Sequence, residues 1–123
     1  MNAIGRTLWA IAEGYIPPGG SQDSRALESH ETACMLNAGE SDAHVSITIF
    51  FKDRDPAGPY RVTVPARRTL HLRFNDLGPE PVPRGTDYAS VIESDVPIVV
   101  QHTRLDSRQA ALALLTTVAY PAA

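Results

Sequence analysis

Ala43-His44-Val45-Ser46-Ile47-Thr48-Ile49-Phe50-Phe51 sets the class of fold. Ala43, Val45, Ile47, Ile49 and Phe51 fall on one side of an extended chain, with His44, Ser46 and Thr48 on the other. A period of two with β-branched residues describes a strand with one face buried and one wet. Tyr60–Val64 repeats the pattern with Tyr60, Val62 and Val64 inward, and Arg68–Phe74 does so with Leu70, Leu72 and Phe74. The connections, 53–59 and Pro65-Ala66-Arg67, are short and rich in Pro, Gly and Asp, as hairpin turns require. The sequence therefore predicts an antiparallel meander from 43 to 74.

Outward from that meander, Thr7–Ala12, Thr32–Leu36 and Ile98–Val100 are apolar on both faces, the pattern of central strands or of strands in an oligomer interface. Tyr88–Glu93 reads as a strand ended by a tight turn at Asp95-Val96-Pro97. Ser107 is placed to cap a short helical turn over Arg108–Ala113, and Leu114–Tyr120 has the β-branched content of a closing strand. Pro17–Leu27 and Asp76–Thr86 lack any period and read as exposed loops. Seven or eight short strands with at most a helical turn predict an all-β antiparallel sandwich, jelly-roll-like, in one domain over 1–123.

Composition narrows the function. A chain of 123 residues, 43% apolar and 20% charged, buries about 65% of its extended surface on folding, enough for a core without staples. Cys34, the single cysteine, excludes an internal disulfide framework and a cysteine-based zinc cluster; it reads as a reduced, buried small hydrophobe. The net charge of −3 argues against nucleic acid as a partner, because counterion release needs clustered Lys and Arg. Met1–Arg6 has no secretory pattern and no stretch approaches the roughly 20 apolar residues of a membrane span, so a cytoplasmic setting is expected.

No motif points to catalysis. His30, His44, His71 and His102 are singletons, with no partner at ligand spacing, and no metal or cofactor is expected. Ser29-His30-Glu31 puts neighbouring side chains on opposite faces of a strand, out of register for a nucleophile and its base. Recognition groups concentrate in 101–109, where His102, Arg104 and Asp106 share one side. With Arg108 they suit either an ion-pair network at a strand end or a hydrogen-bonding rim for a sugar, a peptide or a protein. Arg67, Arg68 and Arg73 form a second basic spot for acidic groups of a partner. Trp9 lies on one strand side with Ile11 and Glu13; it suits the core, or the floor of a carbohydrate site together with Glu13, Tyr15, His102 and Arg104.

Four long stretches carry more than pattern: IGRTLWAIAEGYIPP (4–18), SHETACMLNAGESDAHVSITIFF (29–51), GPYRVTVPARRTLHLRFNDL (58–77) and VPIVVQHTRLDSRQA (96–110). Together they resemble the sensory rhodopsin transducer family, soluble partners of cyanobacterial sensory rhodopsins. The resemblance implies a jelly-roll-like sandwich that assembles as a homotetramer. It also implies binding to the cytoplasmic side of a seven-helix retinal protein, which carries the retinal itself. A small-molecule-binding sandwich of the carbohydrate-binding kind is the alternative reading.

Overall fold

A computed structural model describes residues 4–19 and 24–123. Eight strands follow in order: β1 (Arg6–Tyr15), β2 (His30–Asn37), β3 (Ala43–Phe51), β4 (Ala57–Val64), β5 (Arg68–Arg73), β6 (Asp87–Asp106), β7 (Ala113–Val118) and β8 (Tyr120–Pro121). The helical content of the described residues is two single 3-10 turns, Arg25–Leu27 and Phe74–Asp76. All pairings are antiparallel. The expected class of fold is what the chain adopts.

One layer runs β4-β3-β6-β1-β8 and the other β5-β2-β6-β7, so β6 belongs to both. Its first half pairs with β1 and β3, its second with β2 and β7. This corrects the turn expected at 95–97. The strand leaves β3 after Ser94 and joins β2 at Val99, so Pro97 sits where the chain changes sheets and its missing N–H breaks no rung to either neighbour. Residues 108–111 form a bend and not a helix, and the closing segment divides into β7 and β8.

The alternation within 43–74 faces as its pattern requires: Val45, Ile47 and Ile49 are buried, and the core joins them to Trp9, Ile92, Met35, Val100 and Phe74 from both layers. Each such side chain contributes about 1.5–3 kcal/mol on burial. Trp9 was a candidate floor for a sugar site, but it is buried, with its indole N–H donating to the Arg6 and Ile98 carbonyls. β1 is fully buried on one face only; on the other, Leu8 and Ala10 are half-buried and Ala12 is exposed. A register shift between Ile11 and Gly14 also turns Glu13 out to solvent, away from the side of Trp9 and Ile11. Cys34 is half-buried on the outer face of β2, paired with His71 and Gln101, and not in the core. Part of the expected 17–27 loop, residues 20–23, lies outside the described residues.

Candidate functional site

Strand parity builds the site. On β2, Glu31, Ala33, Met35 and Asn37 point inward and are buried. Glu31 is thus a carboxylate carried in phase with apolar neighbours, with 0% of its surface exposed. Across the ladder it lies opposite Arg104 of β6, and the inward parity of β6 also brings His102 to it. Tyr88, from the other half of β6, and Tyr15, at the end of β1, close the ring.

The carboxylate is fully used. Oε1 accepts the Tyr15 backbone N–H at 2.8 Å and the Tyr88 hydroxyl at 2.5 Å. Oε2 accepts Arg104 Nε–H at 2.5 Å and has His102 Nε2 at 3.2 Å, a contact too poorly aligned to be a hydrogen bond. Phe74 walls the pocket, meeting Tyr88 edge-on at 5.5 Å and His102 at 6.5 Å. Gly14 lets Tyr88 in: a Cβ there would lie 2.7 Å from the tyrosine ring. Asn75 ties the floor, its Oδ1 accepting the Glu31 N–H and its Nδ2 donating to the Ser29 carbonyl.

Burial alone would push the Glu31 carboxyl up, but the contacts with His102, Tyr88 and Arg104 outweigh it and hold the group below the ordinary carboxylate range. Tyr88 moves well upward, through burial first and the adjacent Glu31 charge second. Burial would weaken the Arg104 charge, yet Glu13 and Glu31 together raise its pKa. The pocket therefore holds a fixed carboxylate–guanidinium pair and a neutral tyrosine.

The other end of Arg104 reaches the surface. Its two terminal nitrogens meet the carboxylate of Glu13, whose side chain is 77% exposed. Its guanidinium carbon lies 6.0 Å from the centre of the Tyr15 ring. The expected network through Asp106 takes a different form: Asp106 pairs with Arg108 at 2.7 Å, while Arg104 turns to Glu31 and Glu13. Glu13, Tyr15, His102 and Arg104 thus meet around Glu31, which sequence reading weighed only as a catalytic-triad member. Trp9 stands apart in the core.

The second basic spot divides, Arg67 and Arg68 staying together at the β4–β5 turn and Arg73 lying apart. Arg67 adopts φ 58° in the β4–β5 turn and pairs with Glu40. Arg68 opens β5 opposite Asn37, whereas Arg73 closes it opposite Thr32, roughly 17 Å along the strand. Arg73 there binds Glu28 and the Arg25 carbonyl. A separate open groove of about 980 Å³ runs between β4 and loop 76–83, floored by Ile47, Val62 and Leu72 and bridged by the Tyr60 hydroxyl donating to the Glu80 carbonyl. None of the ligand candidates read from the sequence lines it.

The carboxylates give an acid limb with a definite sign. Besides Glu31, Asp95 is held low by the backbone N–H and ring of His44, and Asp106 by Arg108. Between the folded values and the unfolded ones, about 4.5 for Glu and 3.8 for Asp, the unfolded chain binds more protons. Stability from these groups is complete above about pH 5 and is lost as pH falls through their folded values. Urea midpoints at pH 3, 4 and 5 should rise in that order; a midpoint that climbs on acidification contradicts the ion pairing.

The likeness to known proteins extends along nearly the whole chain. No curated protein matched the chain in a sequence search. One solved structure, the Anabaena sensory rhodopsin transducer, is 65% identical with a TM-score of 0.76, over 84% of this chain and 100% of that one. Another, Thermotoga maritima protein 1070, is 37% identical with a TM-score of 0.84, over 98% of this chain and 96% of that one. Residues 4–121 match the family model described as Anabaena sensory rhodopsin transducer, so the strands that assemble the Glu31 pocket all lie inside the match and the chain belongs to that family.

Proposed function

We propose that the protein is a cytoplasmic, non-enzymatic signalling subunit. It acts as one domain over 1–123, assembles as a homotetramer, and binds the cytoplasmic side of a seven-helix retinal protein, peripheral to the inner membrane. Membership of the transducer family over residues 4–121 carries this reading. The site is compatible with it: Tyr88 and Arg104 both bond the buried Glu31 carboxylate. Glu13, Tyr15, Arg104 and Arg108 form a charged rim above them, suited to contact. No helix of the described residues is long and apolar enough to cross a membrane.

Signalling by such a subunit needs different affinities for two receptor states, because a partner that binds both equally shifts neither. A tetramer multiplies weak contacts by avidity. Titrating a retinal receptor in nanodiscs, dark and illuminated, should give saturable binding with dissociation constants at least about 5-fold apart, the lower end of usual coupling. Equal constants would refute the signalling reading.

A further inference from the structure

A second cluster of polar side chains lies away from the Glu31 pocket, on the outer face of the layer β5-β2-β6-β7. Strand pairing fixes its rows. Arg73, Thr32 and Thr103 lie side by side across β5, β2 and β6, and His71, Cys34 and Gln101 form the next row. His30 shares this face of β2, since side chains two apart on a strand point the same way. An open depression of about 380 Å³ runs among them, lined by His30, Thr32, Cys34, His71, Arg73 and Thr103. No carboxylate is among the lining residues.

The fold leaves donors unused here. Thr32 is only 7% exposed, yet its hydroxyl has no hydrogen-bond partner among the described residues. A buried hydroxyl in that condition is costly unless something fills the place of the partner. Arg73 donates from Nη1 to the Arg25 carbonyl and to Glu28, while its Nε and Nη2 have no partner among the described residues. Those two nitrogens form the edge of a guanidinium that grips two oxygens of an oxyanion in parallel. Glu28 does not cancel the charge, because Arg25, Arg73 and Arg84 share it; Asp76, on Arg25, is the second carboxylate against the three guanidiniums. The His30 ring donates from Nδ1 to the Glu28 carbonyl at 2.8 Å, which leaves Nε2 free to accept a P–OH.

We infer that this depression binds a phosphoryl group, as inorganic phosphate or as the head of a phosphate monoester. The Arg73 fork and the Thr32 hydroxyl supply donors from two neighbouring strands, and His30 and His71 stand at either end. A tetrahedral oxyanion can use donors that converge from several directions, whereas a planar carboxylate fills the fork alone. A metal ion does not suit the set: His30 and Cys34 are four residues apart on one strand, roughly 13 Å, too far to share one ion. No group of three metal-ligating side chains occurs among the described residues. The site is separate from the receptor reading, and its failure would leave that reading standing.

The test titrates the whole chain with inorganic phosphate, and separately with glycerol 3-phosphate, at constant ionic strength, following the His30 and His71 ring signals by NMR. Saturable shifts of both rings are expected, with a dissociation constant of about 1 mM or tighter. Shifts with inorganic phosphate alone identify the free anion as the ligand, and shifts with both identify the head of an ester. Thr32→Val keeps the volume and removes the unpaired hydroxyl. It should leave the urea midpoint unchanged or raise it, and weaken phosphate binding at least about tenfold, the worth of one hydrogen bond to a charged group. Arg73→Gln should weaken it at least as much, whereas Arg68→Gln, at the far end of β5, should not change it. Absence of saturation by about 20 mM phosphate, or equal affinities in Thr32→Val and Arg68→Gln, overturns the site.

Discussion

Glu31→Gln will lower the stability of the folded chain by about 3–5 kcal/mol, the usual consequence of removing one partner from a buried ion pair. Glutamine fits the space but not the hydrogen bonding. The carboxylate accepts from Tyr15 and Tyr88 on one oxygen and from Arg104 on the other. An amide turns its NH2 toward one of those donor sets, and the Arg104 guanidinium loses its buried counter-charge. Set against a total of about 5–15 kcal/mol for a domain, that loss moves the urea midpoint a long way. Glu13→Gln removes the exposed half of the same arrangement and should cost no more than about 1 kcal/mol. Urea unfolding of the two variants side by side separates them. If both lie within 1 kcal/mol of the natural chain, Glu31 does not anchor the site.

Phe74→Ala should cost about 3–5 kcal/mol, as large-to-small changes of buried aromatics do. Phe74 is the largest fully buried side chain and lies in the 3-10 turn that follows β5. It packs on the rings of both Tyr88 and His102, so its loss opens a void beside the Glu31 carboxylate as well as in the core. Thermal unfolding should fall by at least 10 °C on the usual scaling for a chain of this length. A drop of only 2 or 3 °C would mean that the pocket closes over the gap.

How legible the molecule was depended on what each pattern could encode. The strands of 43–74 announce themselves because one face is wet and the other dry, a contrast the period of two preserves. Glu31 was obscured by its surroundings. Read as apolar on both faces, Thr32–Leu36 concealed that Glu31, Ala33, Met35 and Asn37 form one inward row. A charged residue in phase with that row was the available signal. Tyr88 and Tyr15 could not be attached to it, because pairing across β1, β2 and β6 is a long-range property. The side of Glu13 was misread because the shift between Ile11 and Gly14 breaks alternation without marking the residue types. Pro97 was read as a stop because the residue does break ladders, and only the exchange of sheets makes it harmless there. Apolar Leu114–Tyr120 promised burial, and composition cannot say whether the cover is this chain or another.

The strand common to both layers, β6, has a consequence for how the molecule comes apart. A sandwich whose sheets share no strand can lose one while the other persists; here the same twenty residues are the spine of each. Prying β1 and β3 away frees half of the backbone on which β2 and β7 depend, so partial unravelling gains little. The chain should melt as a single cooperative unit. It should also assemble slowly, since every ladder on that spine waits for remote stretches of the polypeptide to meet.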